Sequence, residues 1–148
     1  MSLSQRFARL VLAWSGWKLK EVAPLPAKAV LLGYPHTSNW DLLMTLLGLA
    51  ALGIRPRWAG KDTMFRRWRG PIIRALAAGW KSGFYRIALA AQVPVVAGVA
   101  DYHRKELGIL AVVAMTGGEE ADMARIAALY AGREGLRPAN ESPVRLLK

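Results

Sequence analysis

The chain has 148 residues, 53% apolar and 21% charged, with a formal charge of +11. That balance suits one globular domain spanning residues 1–148 and excludes a disordered chain. The absence of cysteine excludes a disulfide framework, a thiol nucleophile and a cysteine-based zinc site, and the two histidines are too few for a His-rich metal site.

Leu3, Phe7, Leu10, Val11 and Trp14 recur at helical spacing and predict an amphipathic helix over 3–14, with Ser2 or Ser4 as N-cap. Two destinations are open for its apolar stripe. One is the protein core. The other is a lipid headgroup interface, which Trp14 and Trp17 beside Lys18 and Lys20 would suit. Pro24 and Pro26 break the chain, and K-A-V-L-L-G-Y over 28–34 reads as a buried strand stopped by Pro35. A helix over 39–52 follows, ended by Gly53. Next come a short strand over 57–60, a helix over 63–78 and a helix from Ser82 to Gln92. P-V-V-A-G-V-A-D-Y over 94–102 is a strand, and residues 108–115 are its candidate hairpin partner. Thr116 or Gly117 opens a last helix over 118–131, followed by an irregular tail. Strands alternating with helices predict an α/β fold, with a mostly parallel or mixed sheet flanked by helices.

The charge is clustered. Residues 55–74 hold Arg55, Arg57, Lys61, Arg66, Arg67, Arg69 and Arg74 against Asp62, and the first twenty residues hold four bases and no acid. Such clusters favour an anionic partner: lipid, a phosphorylated small molecule or nucleic acid. A solvated basic helix face accounts for the arginines equally well. No RNA-binding sheet signature or helix-turn-helix pattern accompanies them, so no nucleic acid is expected. No apolar run reaches the roughly 20 residues that span a bilayer, and Arg9 interrupts the N-terminal apolar stretch. The expected location is therefore cytoplasmic, peripheral to the inner face of a membrane.

The segment Y-P-H-T-S-N-W-D, residues 34–41, carries the most chemistry. Ser38-Asn39-Trp40-Asp41 has the S-x-x-D form of a capping box, which places Asp41 in the first helical turn. His36 lies in the loop just before it. A strand-to-helix turn can fold that loop back, bringing imidazole and carboxylate within reach. A carboxylate on one imidazole nitrogen fixes the tautomer and leaves the other nitrogen as a base. By spacing alone, a capping aspartate with a bystander histidine is the commoner outcome.

The flanking words add to this. A-V-L-L-G-Y-P-H-T-S-N-W-D, then R-W-A-G-K-D-T-M-F, and later W-K-S-G-F-Y-R-I-A-L-A-A-Q-V-P-V-V and D-Y-H-R-K-E-L-G resemble the glycerophospholipid acyltransferase superfamily, which includes lysophosphatidic acid acyltransferases. Its H-x-x-x-x-D signature falls on His36 and Asp41. The resemblance implies transfer of a fatty acyl group from a thioester of coenzyme A or acyl carrier protein to a hydroxyl of a glycerol phosphate or lysophospholipid. His36 would be the general base and Asp41 its orienting carboxylate. Lys61, Arg66 and Arg67 are the candidate ligands for substrate phosphate or an anionic membrane surface. Neither a cofactor nor a metal is implied.

The chain departs from that family in one respect. A block of the form G-x-x-x-x-D-R and a later P-E-G-T-R block, whose arginine and threonine help hold the acceptor phosphate, are both absent. I-I-R-A-L-A-A-G runs directly into W-K-S-G-F-Y, so the join at Gly79 and Trp80 reads as a deletion, leaving the sheet short of two strands relative to the family. Two expectations follow: an acyltransferase, or a non-catalytic membrane-binding remnant of one. His103, near Asp101 and Glu106, reads as an exposed strand-end residue, and G-G-E-E over 117–120 as a helix start with acids at its positive end.

Overall fold

A computed structural model of the chain describes residues 1–22, 24–35, 37–38, 40–55, 80–81, 83–141, 143–144 and 146–147. The strand expected over 57–60, the helix expected over 63–78 and Gly79 lie outside the described residues.

Helix α1 spans Leu3–Trp14 and carries a capping box: Ser2 Oγ accepts from Gln5 N, and Gln5 Oε1 accepts from Ser2 N at 2.6 Å. It closes with Trp17 N donating to Leu12 O at 2.8 Å, the 6→1 bond of a Schellman turn. Strand β1 (Lys18–Lys20) follows directly, then β2 (Val30–Tyr34) and α2 (Trp40–Leu52). Helix α2 also ends in a 6→1 bond, from Ile54 N to Leu49 O at 2.9 Å. Further along are β3 (Trp80–Lys81), α3 (Gly83–Ala90), β4 (Val95–Asp101), β5 (Glu106–Val113) and α4 (Glu119–Tyr130). The expected irregular tail contains a 3-10 turn at Pro138–Asn140 and β6 (Leu146–Leu147).

The main sheet has the order β1-β5-β4-β2. β2 runs parallel to β4, β4 antiparallel to β5, and β5 parallel to β1, so the sheet is mixed. β3 and β6 form a separate parallel pair. The β4–β5 hairpin is the one anticipated from sequence, although β5 begins two residues earlier than residue 108. β1 was not anticipated, because K-L-K is too short to show a period. It is placed by Lys18 N donating to Lys105 O at 2.7 Å and by register with Glu106–Gly108. Gly108 permits this approach: its φ is +138°, and a Cβ there would run into the Lys20 carbonyl. Among the described residues β1 and β2 are the sheet edges, and β2, expected as a buried strand, is for that reason only half-buried.

Every residue of β4 is buried, so both faces of this strand are covered. On one face Ala100 and Leu107 pack with Ala8, Leu12 and Ala51 of α1 and α2. On the other, Ala97 and Val99 pack with Met123, Ile126 and Tyr130 of α4, and Phe84 of α3 joins them. The Tyr130 hydroxyl donates to Gly98 O at 2.9 Å, tying α4 to the strand backbone.

Two buried carboxylates brace the ends of these elements. Asp101, fully buried, accepts from Arg104 N at 2.9 Å and pairs with Arg104 and Arg133; Arg133 also pairs with Glu106. Asp122, in the first turn of α4, accepts from Thr116 N at 2.8 Å, Gly117 N at 3.2 Å, Tyr85 Oη at 2.8 Å and Thr116 Oγ1 at 2.9 Å, and pairs with Arg125. The helix start read from G-G-E-E is present, with Gly118 as N-cap and Glu119, Glu120 and Asp122 in the first turn. His103 is exposed in the hairpin turn, as expected, and the two neighbouring acids face the arginines instead.

Burial alone would raise the pKa of Asp122, but the donors from Arg125, Thr116 and Tyr85 outweigh it and hold the carboxyl well below the usual range. Arg133 does the same for Glu106 against its desolvation, helped by Lys20. A depressed carboxyl pKa stabilises the fold above the unfolded-state value of about 4 and loses that contribution as pH falls through the folded-state value. Urea unfolding should therefore show full stability above about pH 4 and a decline below it, with at most about 1.4 kcal/mol per pH unit from each group. Asp122→Asn should flatten that acid limb and cost about 2–4 kcal/mol at neutral pH.

Candidate functional site

The turn that joins β2 to α2 sits at the carboxyl end of β2, where Tyr34 is in register with Val99 of the parallel strand β4. In open α/β sheets this end of parallel strands is where loops gather reactive groups. Asp41, 1% exposed, lies in the first turn of α2. Its carboxylate faces back into the turn. Oδ2 accepts from Thr37 N at 2.5 Å and Ser38 N at 2.7 Å, and Oδ1 accepts from Ser38 Oγ at 3.2 Å. The capping box expected here is thus half formed. Asp41 reaches back to the Ser38 backbone, while the Ser38 hydroxyl donates to the carboxylate rather than accepting from Asp41 N. That amide instead bonds to Ser38 O at 3.2 Å.

A carboxylate offers about four acceptor positions. Thr37 Oγ1 adds a longer bond to Oδ2 at 3.5 Å, so the described turn makes three hydrogen bonds to Oδ2 and one to Oδ1. Tyr102, the first residue past β4, brings its hydroxyl beside this carboxylate. That hydroxyl is buried and has no hydrogen-bond partner among the described residues. Burial, and then Asp41 close by, push the phenol pKa up, although the contact does not reach hydrogen-bond geometry. The Tyr102 ring is held edge-on against Trp17, in the turn between α1 and β1, at 5.1 Å.

The segment after α4 closes over the other side of the turn. Arg137 N donates to Thr37 Oγ1 at 3.1 Å and Asn140 Nδ2 to Thr37 O at 3.4 Å. Gly135 lies so close to Thr37 and Pro35 that a Cβ there would collide with the Thr37 side chain. Gly135 N in turn donates to Glu141 Oε1 at 2.7 Å. Thr37 and Pro35 are buried as a result.

Of the residues singled out from sequence, Asp41 lies in the first turn of its helix as expected, with its carboxylate aimed at the preceding loop; its burial is a finding of the structure. His36, Lys61, Arg66 and Arg67 lie outside the described residues. Tyr102, Arg137 and Asn140 were not foreseen. They reach the turn from 61 or more positions along the chain, and no local pattern marks them. Among the described residues no three His, Cys, Asp or Glu side chains are grouped as metal ligands would be. A groove between the first turn of α1 and the end of α2, lined by Gln5, Leu46 and Gly53 among others, lies at the far end of α2 from Asp41.

No family model, curated protein or solved structure matches the chain.

A buried hydroxyl without a partner costs about 1–3 kcal/mol, whereas a paired one contributes about 1. Tyr102→Phe should therefore leave stability unchanged or raise it by up to about 1 kcal/mol, while Asp41→Ala, which strands two backbone amides, should lower it by about 2–3 kcal/mol. Chemical denaturation of the two variants checks both; a clear loss for Tyr102→Phe would mean that its hydroxyl is satisfied after all.

Proposed function

We propose that the chain transfers a fatty acyl group from a thioester to a hydroxyl of a phosphorylated glycerol or lysophospholipid, with His36 as general base and Asp41 as the carboxylate that orients it. One observation carries the reading: a buried aspartate at the carboxyl end of β2, five residues after a histidine, with its carboxylate turned back into the loop and fixed there by the loop's own amides. Fixing a carboxylate by its own loop amides leaves it no rotameric freedom, which is what an orienting group requires.

The chemistry follows from those roles. His36 takes the proton of the acceptor hydroxyl as its oxygen attacks the thioester carbonyl. The C–O bond forms, the C–S bond breaks, and the proton passes to the departing thiolate. The imidazolium formed in between is stabilised by Asp41. The acceptor hydroxyl is itself the nucleophile, so no serine is required. Lys61, Arg66 and Arg67 are proposed to hold phosphate on the acceptor or the donor.

A second reading has its own observation. Asp122 also closes the loop before its helix by accepting from two successive backbone amides, Thr116 and Gly117, although these lie further back along the chain than those that Asp41 takes, and the residue five positions before it is Gly117. An aspartate of this kind therefore braces a helix start in this chain without any histidine. On that reading the protein is a non-catalytic relative that binds lipid.

Purified protein incubated with acyl-coenzyme A or acyl carrier protein, and with glycerol 3-phosphate or lysophosphatidic acid, separates the two. Catalysis predicts turnover that falls by about 10²–10⁴-fold in His36→Ala, the usual contribution of a positioned base. Turnover no greater than that of His36→Ala with every donor and acceptor would eliminate the catalytic reading.

A further inference from the structure

Helix α1 is apolar on two opposite sides. Ala8 and Leu12, each 2% exposed, face the core with Gln5 beside them. Leu3, Phe7, Leu10 and Trp14 point the other way and are 88%, 68%, 68% and 92% exposed. At about 100° per residue these four fall within one narrow arc, and at about 1.5 Å rise per residue they run for roughly 17 Å along the helix. The stripe that sequence alone could have assigned to the core is therefore the outward one, and smaller residues supply the inward face. Four large side chains aligned on one outer face are not the scattered apolar exposure of an ordinary surface.

The apolar surface continues onto α2. Trp40, Leu43 and Leu46 are 62%, 52% and 48% exposed. Leu46 lines one groove together with Ser4 and Gln5, so the two helices adjoin there. Trp40 immediately precedes Asp41, so the helix that buries the carboxylate also presents an indole outward at the same turn.

We infer that α1, with the exposed side of α2, docks on an anionic lipid bilayer, lying in its interface rather than crossing it. Charge selects this occupant. Helix α1 contains Arg6 and Arg9 and no acid. Arg6 is exposed at the edge of the stripe, Lys18 is exposed just past its end, and neither forms an ion pair among the described residues. A second copy of the chain would bring another +11 against the first, whereas an anionic leaflet meets the same charge favourably. Apolar residues on one face, basic residues at its margin and a tryptophan near its end are the make-up of a helix that sits at headgroup depth. No helix among the described residues is long and apolar enough to cross a membrane. The inference does not depend on the acyl-transfer reading, because it uses exposure and charge and no property of the turn.

Flotation of the full chain with vesicles of phosphatidylcholine, with and without phosphatidylglycerol, tests it. Association is expected with the phosphatidylglycerol vesicles, weaker with phosphatidylcholine alone, and reduced several-fold by about 0.5 M salt. The variant L3S/F7S/L10S/W14S should bind at least about tenfold less while keeping its far-ultraviolet circular dichroism, since none of the four supports the core. Arg6→Glu with Lys18→Glu should weaken binding to the anionic vesicles alone. Equal binding by the four-serine variant would overturn the inference, as would failure of the parent chain to float with either vesicle. So would a concentration-dependent dimer in sedimentation velocity that the four-serine variant abolishes, which would assign the stripe to a second copy.

Discussion

The parallel pairing of β2 with β4 is the constraint on which the rest depends. β4 is buried along its whole length, so it needs a helix layer on each face and a strand on each side. β5 supplies one side through a short hairpin, at little loop-closure cost. β2 supplies the other from 60 residues earlier, and the chain between them has to cross over. That crossover places the start of α2 at the carboxyl end of β2, and with it Asp41. Tyr102 is brought to the same place merely by being the residue at which β4 stops.

Asp41 and Asp122 show the chain solving one problem twice. Each helix follows a loop that turns sharply into it, and each places an aspartate in the first turn to accept from two backbone amides of that loop. The helix dipole favours that negative charge at both sites. They differ in what remains unsatisfied. Asp122 is surrounded by Tyr85, Thr116 and Arg125, whereas beside Asp41 stands a phenol hydroxyl with no partner among the described residues. Buried polar groups left in this state are uncommon in a finished core and more usual where a further group has to be received.

The distribution of charge and apolar surface separates two sides of the molecule. The Asp101–Arg104–Arg133–Glu106 group is internally neutralised and braces the hairpin against the segment after α4. On α1 the exposed arginine and the exposed apolar stripe share one helix, and nothing described in the chain covers them. An enzyme acting on a lipid hydroxyl would gain from such an arrangement, since the α2 turn that holds Asp41 also carries the exposed Trp40.

Much of this was legible in the residues themselves. Helical spacing located α1 to the residue, and the β-branched run around 95–101 located β4. Pro35 and Gly53 bounded α2, and the S-x-x-D word placed Asp41 where its carboxylate could turn back. Each is a local preference, set by the period of a helix or strand or by the chemistry of a cap, and a local preference is written in neighbouring residues. Three things were decided only by tertiary structure. A three-residue strand at 18–20 exists because Gly108 leaves room for it. The outer stripe of α1 faces away from the core because Ala8 and Leu12 are what fit against Ala100 and Leu107. Tyr102, Arg137 and Asn140 meet the 35–38 turn because strand pairing and the path after α4 carry them there. Periodicity reports which side of a helix is apolar, but with two apolar sides only the volume available beneath it decides which one is buried.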